Sequence, residues 1–368
     1  KIPSFGGLSE AGTQIKVKID GVNQPDGLIT VNPDGTWQFV AGEEMSDGNY
    51  LFEFISIDAA GNRQVIKHDL EIDTSTEVTG RLDSSTNTGT TTDQITKSED
   101  IKFSGEGESG SKIEIEIGSK TYETVVEENG KWSFMLPDRL EEGVFEYVIT
   151  ATDKAGNTDT DQGQIEVDRT NTIDVAFKDG SDSADKTDGI TNVKQPTFVG
   201  TTQSGSTVTL IINGSTSHNV SINPDGTFEF QIPEALDDGN FTYEFISVDV
   251  AGNRVTEGGS FVVDTVSELT WELSSDSDSG VSGDKKTNDQ TPTFEGLAEV
   301  GSQVTLEING KQYTVTAGAD KSWSIEIPEA DKLPAGKWDY TITSIDKAGN
   351  PKVIEDYVTI DINSFVTA

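Results

Sequence analysis

The sequence predicts an all-β chain made of tandem two-sheet sandwiches, and two observations lead to this prediction. Apolar residues recur at every second position, and no window of about a dozen residues has the spacing of an amphipathic helix. The pentapeptide Asp-x-Ala-Gly-Asn occurs four times, beginning at Asp58, Asp153, Asp249 and Asp346, at intervals of 95, 96 and 97 residues. About seven short strands fit into each interval, which is typical of immunoglobulin-like β-sandwich domains.

Two further markers keep the same period. An apolar strand end closes on Asp73, Asp168, Asp264 and Asp361, and Phe-x-Gly begins at Phe5, Phe103, Phe198 and Phe294. The markers divide the chain into four domains: residues 1–74, which lack a first strand, and residues 75–169, 170–265 and 266–368. Because the linkers are only a few residues long, we expect a linear rod. Since the first copy opens within the repeated motif, we also expect a segment of a longer protein.

The elements of one repeat follow from turn chemistry and alternation. After the Phe-x-Gly strand comes a hairpin, with Asn213-Gly214 as its turn in the third repeat and Asn309-Gly310 in the fourth. A second turn, such as Asn223-Pro224-Asp225-Gly226, precedes a strand that opens with an aromatic residue. We expect this residue to anchor the core between the two sheets. It is Trp37, Trp132, Phe228 and Trp323 in the four repeats.

The composition excludes several classes of function. Asp and Glu total 65 against 26 Lys and Arg, and the net charge of −39 repels nucleic acid and anionic lipid. No apolar run approaches the roughly 20 residues of a membrane span, so we expect neither nucleic-acid binding nor membrane insertion. There is no cysteine, and the two histidines, His68 and His218, are far apart. We therefore predict a protein that is not an enzyme.

Two motifs resemble known sites but lack the required context. Gly105-x-Gly107-x-x-Gly110 matches the dinucleotide fingerprint, yet the residues that follow alternate as a strand, whereas the fingerprint needs a helix. Residues 276–280 resemble the start of an EF-hand loop, but Thr287 stands where a bidentate Glu is needed. Neither motif is taken as a site.

The acidic residues become informative when they are placed on the predicted fold. The pentapeptide joins the last two strands at the entry end of a repeat, whereas the closing Asp and the loop between the first two strands lie at the exit end. Consecutive repeats should therefore bring Asp168 towards Asp249 and Asn253. Two carboxylates ~4 Å apart repel by about 1 kcal/mol in water and by several times more near a protein surface. Ca²⁺ reverses the sign, because it binds roughly six to eight oxygens in irregular geometry.

The predicted calcium ligands come from the closing Asp residues, from both ends of the pentapeptides and from the first loops. They are Asp73, Asp153, Asn157, Asp168, Asp249, Asn253, Asp264, Asp346, Asn350, Asp182, Asp188, Asp278 and Asp361. Two other interpretations stay open. The pentapeptide is also a good hairpin turn, since Gly and Asn tolerate positive φ. A closing Asp can cap a strand and face solvent, and most of the 65 acids are expected to form a solvated surface.

The motifs together resemble a known family. The segments Gln195-Pro-Thr-Phe-Val-Gly200 and Thr291-Pro-Thr-Phe-Glu-Gly296, with Asn-Gly, Asn-Pro-Asp-Gly-Thr and Asp-x-Ala-Gly-Asn, are similar to the bacterial immunoglobulin-like repeats of giant non-fimbrial adhesins secreted by type I systems. The resemblance covers essentially the whole chain. It implies a rod on a Gram-negative surface, calcium at the junctions, and contact with host cells and their glycans. The second repeat departs from the pattern, with residues 87–90 (Asn-Thr-Gly-Thr) where its neighbours hold acids.

The leading hypothesis is a non-catalytic, calcium-rigidified stalk or binding segment of a bacterial surface adhesin involved in virulence. Its partners would be the neighbouring repeats of the same chain and the host-cell surface, and we expect an extracellular monomer. The alternative is a set of carbohydrate-binding accessory modules of a secreted glycoside hydrolase. That alternative predicts a row of exposed aromatic residues, for which Trp271 is the one candidate without a counterpart in other repeats.

Overall fold

The computed structural model describes residues 1–90 and 92–363, and its regular structure is almost entirely β-strand. The chain forms two compact units, Lys1–Arg169 and a second unit that begins at Thr170, and each contains two repeats. Within the described residues, the one helical segment is a short 3₁₀ turn, Glu329–Asp331, and no helix has the length and apolarity needed to cross a bilayer. The predicted all-β fold is confirmed.

The first unit contains the strands of the first two repeats. The first repeat has β1 (Ser4–Leu8), β2 (Gln14–Ile19), β3 (Val22–Asn23), β4 (Thr36–Val40), β5 (Gly48–Ile57) and β6 (Arg63–Ile72). The second has β7 (Val78–Leu82), β8 (Ile95–Thr96), β9 (Lys102–Gly107), β10 (Lys112–Ile117), β11 (Lys120–Val125), β12 (Lys131–Met135), β13 (Gly143–Thr152) and β14 (Thr158–Val167).

The second unit continues with the third and fourth repeats. The third has β15 (Ile173–Phe177), β16 (Ile190–Thr191), β17 (Thr197–Thr202), β18 (Thr207–Ile212), β19 (Thr216–Val220), β20 (Thr227–Gln231), β21 (Gly239–Val248) and β22 (Arg254–Val263). The fourth has β23 (Glu272–Leu273), β24 (Lys286–Thr287), β25 (Thr293–Leu297), β26 (Gln303–Ile308), β27 (Lys311–Thr316), β28 (Ser322–Glu326), β29 (Gly336–Ile345) and β30 (Pro351–Ile360).

The second, third and fourth repeats share one topology. In the second repeat a three-stranded sheet, β12-β9-β7, accompanies a five-stranded sheet, β11-β10-β13-β14-β8. The two later repeats have the same strand order. Each therefore has eight strands, one more than predicted, because a two-residue strand (β8, β16 or β24) pairs in parallel with the last strand. A two-residue strand is too short to leave a periodic pattern in the sequence.

The first repeat has six strands. Its smaller sheet contains only β1 and β4, and its larger sheet has the order β3-β2-β5-β6. No strand corresponding to β7 or β8 pairs with β1 or β6 within the described residues. Among the residues described, one edge of β1 has no strand paired to it, whereas the same edge of β9 pairs with β7 and that of β17 with β15.

Each repeat has its own apolar core, and the strand register of the smaller sheet sets the position of its aromatic anchor. The predicted aromatic anchor lies opposite the glycine of Phe-x-Gly in every repeat: Trp37 opposite Gly7, Trp132 opposite Gly105, Phe228 opposite Gly200 and Trp323 opposite Gly296. Three of the anchors are buried, with Trp132 at 2% exposure and Phe228 and Trp323 at 3%. Trp37 is only half-buried, because no strand of the described residues pairs with the outer edge of β1 beside it.

The predicted Asn-Gly hairpins are confirmed. Strands β18 and β19 pair around Asn213-Gly214, with φ of 48° and 68°, and β26 and β27 pair around Asn309-Gly310, with φ of 52° and 69°. Two consecutive positive φ values match the right-handed twist of the flanking strands. These hairpins form the outer edge of each larger sheet.

Trp271 is not an exposed platform. Its ring packs edge-on against Tyr340 at a centroid distance of 5.1 Å and is half-buried against the core of the fourth repeat. Among residues 1–90 and 92–363, every Phe, Tyr and Trp other than Tyr357 is buried or half-buried, and Tyr357 itself is 39% exposed. The described residues therefore lack the aromatic row that the sugar-binding alternative predicts.

Gly105 offers a direct test of how the first strand packs. A Cβ at this position would lie 1.8 Å from the carbonyl oxygen of Thr79 on β7, so Gly105→Ala must displace β7. We expect the second repeat to lose about 1–3 kcal/mol of stability, with faster amide exchange in Val78–Leu82. Gly42→Ala is the control, because that Cβ would meet nothing within 4 Å. Unchanged exchange in β7 would contradict this account of the packing.

Candidate metal centres

The Asp-x-Ala-Gly-Asn turns have one geometry in all four repeats. In the second repeat, the Asp153 carboxylate accepts hydrogen bonds from the backbone N–H of Asn157 at 2.8 Å and from its side-chain Nδ2 at 2.7 Å. The same pair of bonds joins Asp58 to Asn62, Asp249 to Asn253 and Asp346 to Asn350. The Asn side chain thus orients the carboxylate, which keeps further lone pairs for a cation. A ligand role for the Asn oxygen stays a prediction.

The closing Asp is fixed by the short parallel strand. The backbone N–H of Asp168 donates to the Thr96 carbonyl at 2.9 Å, that of Asp264 to Thr191 at 2.9 Å, and that of Asp361 to Thr287 at 2.8 Å. The carboxylate is thereby held at the exit end of the repeat, where the next repeat begins.

Three carboxylates converge where two repeats meet inside each compact unit. The first-unit cluster consists of Asp73, Glu108 and Asp153, and the second-unit cluster of Asp264, Glu299 and Asp346. In each cluster one carboxylate oxygen per residue lies within 4.8 Å of the others. The structure therefore brings together the predicted closing Asp and the predicted pentapeptide Asp.

The third member of each cluster was not predicted from the sequence. Glu108 and Glu299 lie in the loop after β9 or β25, three residues beyond the glycine of Phe-x-Gly. The constant distance from that glycine was an available signal, since Glu10 occupies the same position in the first repeat. The third repeat has Gln203 there, which weakened the pattern.

The electrostatics of both clusters favour a bound cation. Burial and the nearby carboxylates of Asp264 and Asp346 raise the pKa of Glu299, and burial together with Asp346 and Asp238 raises the pKa of Asp264. Partial desolvation and the charges of Asp73 and Asp153 likewise raise the pKa of Glu108. Burial also acts to raise the pKa of Asp153, but its hydrogen bonds from Asn157 prevail and lower it.

Within the described residues, no Lys, Arg or His nitrogen lies within 4 Å of a carboxylate oxygen of either cluster. Such close carboxylates are costly without a counterion. The three carboxylates of each cluster offer the type of oxygen ligand that Ca²⁺ prefers.

Direct hydrogen bonds also join the two repeats of the second unit. Asn350 Nδ2 donates to the backbone carbonyl of Asp264 at 2.8 Å. The hydroxyl of Ser183, in the first loop of the third repeat, donates to the Ala348 carbonyl. The first loop therefore reaches the pentapeptide turn of the following repeat, as the predicted placement of these loops requires.

The first loops present a second candidate site. Asp182 is buried, and its Oδ1 has no hydrogen-bond partner. Burial and the carboxylates of Asp188 and Asp185 raise its pKa. Asp278 occupies the same position in the fourth repeat, and its Oδ1 is also buried without a partner. In the second repeat Asn87 stands there, with both side-chain polar atoms buried and unpartnered.

The remaining predicted ligands differ in their exposure to solvent. Asp168 and Asp249 are buried, Asp188 is exposed and accepts a hydrogen bond from the Ile190 N–H at 2.9 Å, and Asp361 is exposed at the end of the last strand. Asp168 belongs to the first compact unit, whereas Asp249 and Asn253 belong to the second. Their predicted shared site stays a prediction.

Comparison with known proteins places these features in context. A tetra-tandem repeat from the extending region of a large adhesion protein is 20% identical, with a TM-score of 0.38 over 98% of this chain and 95% of that one. A Ca²⁺-stabilized adhesin with which an Antarctic bacterium binds ice is 25% identical, with a TM-score of 0.30 over 97% and 93%. A 1.5-MDa bacterial ice-binding adhesin is 22% identical, with a TM-score of 0.34 over 78% and 98%. No curated protein is significantly similar to the chain.

Family membership rests on the sequence of every repeat. The model of the bacterial Ig-like domain matches residues 1–74, 75–169, 170–265 and 265–362. Together these four matches account for nearly the whole sequence, and they coincide with the repeats whose sheets and turns are described above. The chain therefore belongs to the bacterial Ig-like domain family.

Proposed function

We propose that this chain is a stalk segment of a bacterial surface adhesin, in which calcium ions between consecutive repeats hold the repeats in fixed orientation. The observation that carries the proposal is the convergence of three carboxylates, drawn from two consecutive repeats, in both compact units. Asp73 comes from the first repeat, whereas Glu108 and Asp153 come from the second. A cation bound to all three would tie one repeat to the next.

The connection between the repeats favours this role. Only residues 74–77 separate the closing Asp73 from β7. The linker is itself anchored, because the Thr74 hydroxyl donates to Asp47 at 2.8 Å, and Thr265 makes the equivalent bond to Asp238 at 2.8 Å. A short, anchored linker leaves few orientations, and a bridging ion would reduce them further.

Calcium suits an extracellular setting. Extracellular modules bind Ca²⁺ with dissociation constants of about 10⁻⁴–10⁻³ M, a range set by ligand charge and site rigidity. We propose the same range here, with the chain outside the cell, after type I secretion, and monomeric. Contact with a host-cell surface and its glycans is part of the proposal and rests on the family resemblance. The proposed role is mechanical and requires no catalytic group.

Small-angle scattering tests the mechanical role. The two conditions are EDTA and a free Ca²⁺ concentration about 5 to 10 times the dissociation constant. We expect the full chain to have a larger maximum dimension and a narrower distance distribution in Ca²⁺, because the bridging ions would restrict the linkers. A titration with Mg²⁺ is the control for ionic strength. Identical distance distributions in Ca²⁺ and EDTA would refute rigidification by calcium.

Substitution of the third carboxylate tests the site itself. Glu299→Gln removes one negative ligand and should weaken calcium binding at the second-unit cluster by about tenfold or more, measured by isothermal titration calorimetry. Glu10→Gln is a matched control, because Glu10 has the same position in the first repeat but belongs to neither cluster. Equal effects of the two substitutions would show that Glu299 is not a ligand.

The raised pKa values of Asp264 and Glu299 predict opposite pH dependences with and without calcium. In EDTA the folded state binds protons more tightly than the unfolded state, so stability should rise as the pH falls from 7 towards roughly 5. In calcium, protons compete with the ion, so stability should fall over the same range. Calorimetric unfolding of the second unit at several pH values measures its stability in EDTA and in calcium. Glu299→Gln should reduce both slopes, and parallel slopes in EDTA and calcium would contradict the assignment.

A further inference from the structure

Side chains close the outer edge of strand β7 in the second repeat. Three backbone N–H groups of β7 point away from β9, and each donates to a side-chain oxygen. Val78 donates to Asp159 Oδ2 at 2.9 Å, Gly80 to Asp161 Oδ2 at 2.8 Å, and Leu82 to Gln94 Oε1 at 3.0 Å. An edge strand whose N–H groups are already paired in this way is a poor template for a further strand.

The equivalent edge of β15 in the third repeat is open. The N–H of Lys178, next after β15, donates to the Thr197 carbonyl of β17 at 2.8 Å. Because the N–H groups of an antiparallel strand alternate in direction, those of Ile173, Val175 and Phe177 point away from β17, and so do their carbonyls. None of these three N–H groups donates to an acceptor among the described residues. The edge therefore presents a row of unpaired backbone groups.

A change of side chains explains the difference between the two edges. The strand registers show that three residues of the third repeat occupy the capping positions: Val255, Glu257 and Gly189 in place of Asp159, Asp161 and Gln94. Valine and glycine offer no side-chain acceptor. Glu257 accepts none of the side-chain hydrogen bonds found in the part of the chain that the structure describes. The third repeat has thus lost all three caps.

The apolar side chains of β15 provide an independent observation. Ile173, Val175 and Phe177 are half-buried, whereas Val78 and Leu82 on the equivalent strand of the second repeat are buried at 6% and 1% exposure. These are the same residues of β15 whose backbone groups face outward. A further strand beside β15 would cover part of this apolar surface, and its burial would add to the backbone hydrogen bonds.

From these observations we infer that the outer edge of β15 is a contact site for a second copy of this chain, whose own β15 pairs with it antiparallel. The register centres on Val175, which lies opposite Val175 of the other copy, and Ile173 lies opposite Phe177. Asp174 lies opposite Ala176, so no like charges are directly opposed. The three-stranded smaller sheet of each copy then becomes half of a six-stranded sheet.

The sequence of β15 favours its own copy as the occupant. Ile173-Asp-Val-Ala-Phe177 has apolar residues at both ends and at its centre. In the register centred on Val175, all three outward residues of one copy face the three outward residues of the other, so that each opposed pair can exchange both hydrogen bonds. A shift by one residue would set outward groups against groups that already bond to β17.

Charge repulsion sets the conditions under which the contact forms. The net charge of −39 makes two copies repel each other, and the range of that repulsion falls from ~10 Å in 0.1 M salt to about 3 Å in 1 M salt. A pair of five-residue strands is a small interface, and small interfaces are weak. The contact therefore goes beyond the proposed function, in which the chain acts as a monomer, and forms where many copies are crowded together.

Sedimentation in EDTA tests the inference without involving the proposed calcium sites. Over a roughly 50-fold range of chain concentration, we expect the full chain to stay monomeric in ~0.1 M NaCl and to shift towards a dimer in ~1 M NaCl. Once half of the chain is dimeric, amide exchange at Ile173, Val175 and Phe177 should slow by about twofold or more.

Two outcomes would overturn the inference. One is a chain that stays monomeric at the highest concentration in high salt. The other is slowed exchange in β15 of a chain that stays monomeric, because something other than a second copy would then cover the edge.

Transplanting the caps of the second repeat gives a matched pair of variants. In the double variant Val255→Asp with Glu257→Asp, two carboxylates would accept outward N–H groups of β15, as Asp159 and Asp161 do on β7. We expect its association constant to fall by about tenfold or more, because these N–H groups are no longer free. Thr256→Asp is the control, since it adds the same charge to β22 but its side chain points to the opposite face. Equal losses in both variants would overturn the edge assignment.

Discussion

Repulsion between carboxylates at the meeting point of two repeats is the constraint on which this architecture depends. In each cluster three carboxylate oxygens lie within 4.8 Å of one another, and within the described residues none of them forms an ion pair with a basic side chain, so their mutual repulsion is unfavourable. Hydrogen bonds hold two of these carboxylates in place. The Asn350 amide orients the Asp346 carboxylate, and the Asp264 N–H donates to the carbonyl of Thr191 in the short strand β16. The fold thus keeps its acids convergent instead of letting them spread apart.

Sequence reasoning succeeded where the chain repeats a local rule and failed where a feature depends on three-dimensional proximity. The Asn213-Gly214 hairpin follows from turn chemistry alone, and the all-β fold follows from period-two alternation. The meeting of Asp73 with Asp153 follows from the topology of a sandwich with opposite entry and exit ends. Glu299 was missed because the third repeat has Gln203 at the equivalent position, which weakened the pattern. Strand β8 was missed because two residues show no period.

The four repeats are similar in topology but not in how they close the smaller sheet. The second repeat places Gly80 under Trp132, whereas the fourth places Trp271 at the corresponding position, and its first strand pairs only over Glu272–Leu273. The middle residue of the first strand therefore differs even between two repeats whose anchor is Trp. Trp271 has no counterpart in the other repeats, and it packs on the core of its own repeat.

The apolar cores and the carboxylate clusters are two kinds of interaction with different positions in the fold. Each apolar cluster is made of residues from a single repeat, with Phe103 and Trp132 in one and Phe294 and Trp323 in another. Apolar burial, which does not depend on the solvent ions, therefore stabilises each sandwich. The carboxylate clusters lie outside these cores and combine residues of two repeats. In the proposed function, a cation at such a cluster would tie one sandwich to the next, whereas apolar burial would keep each sandwich folded without it.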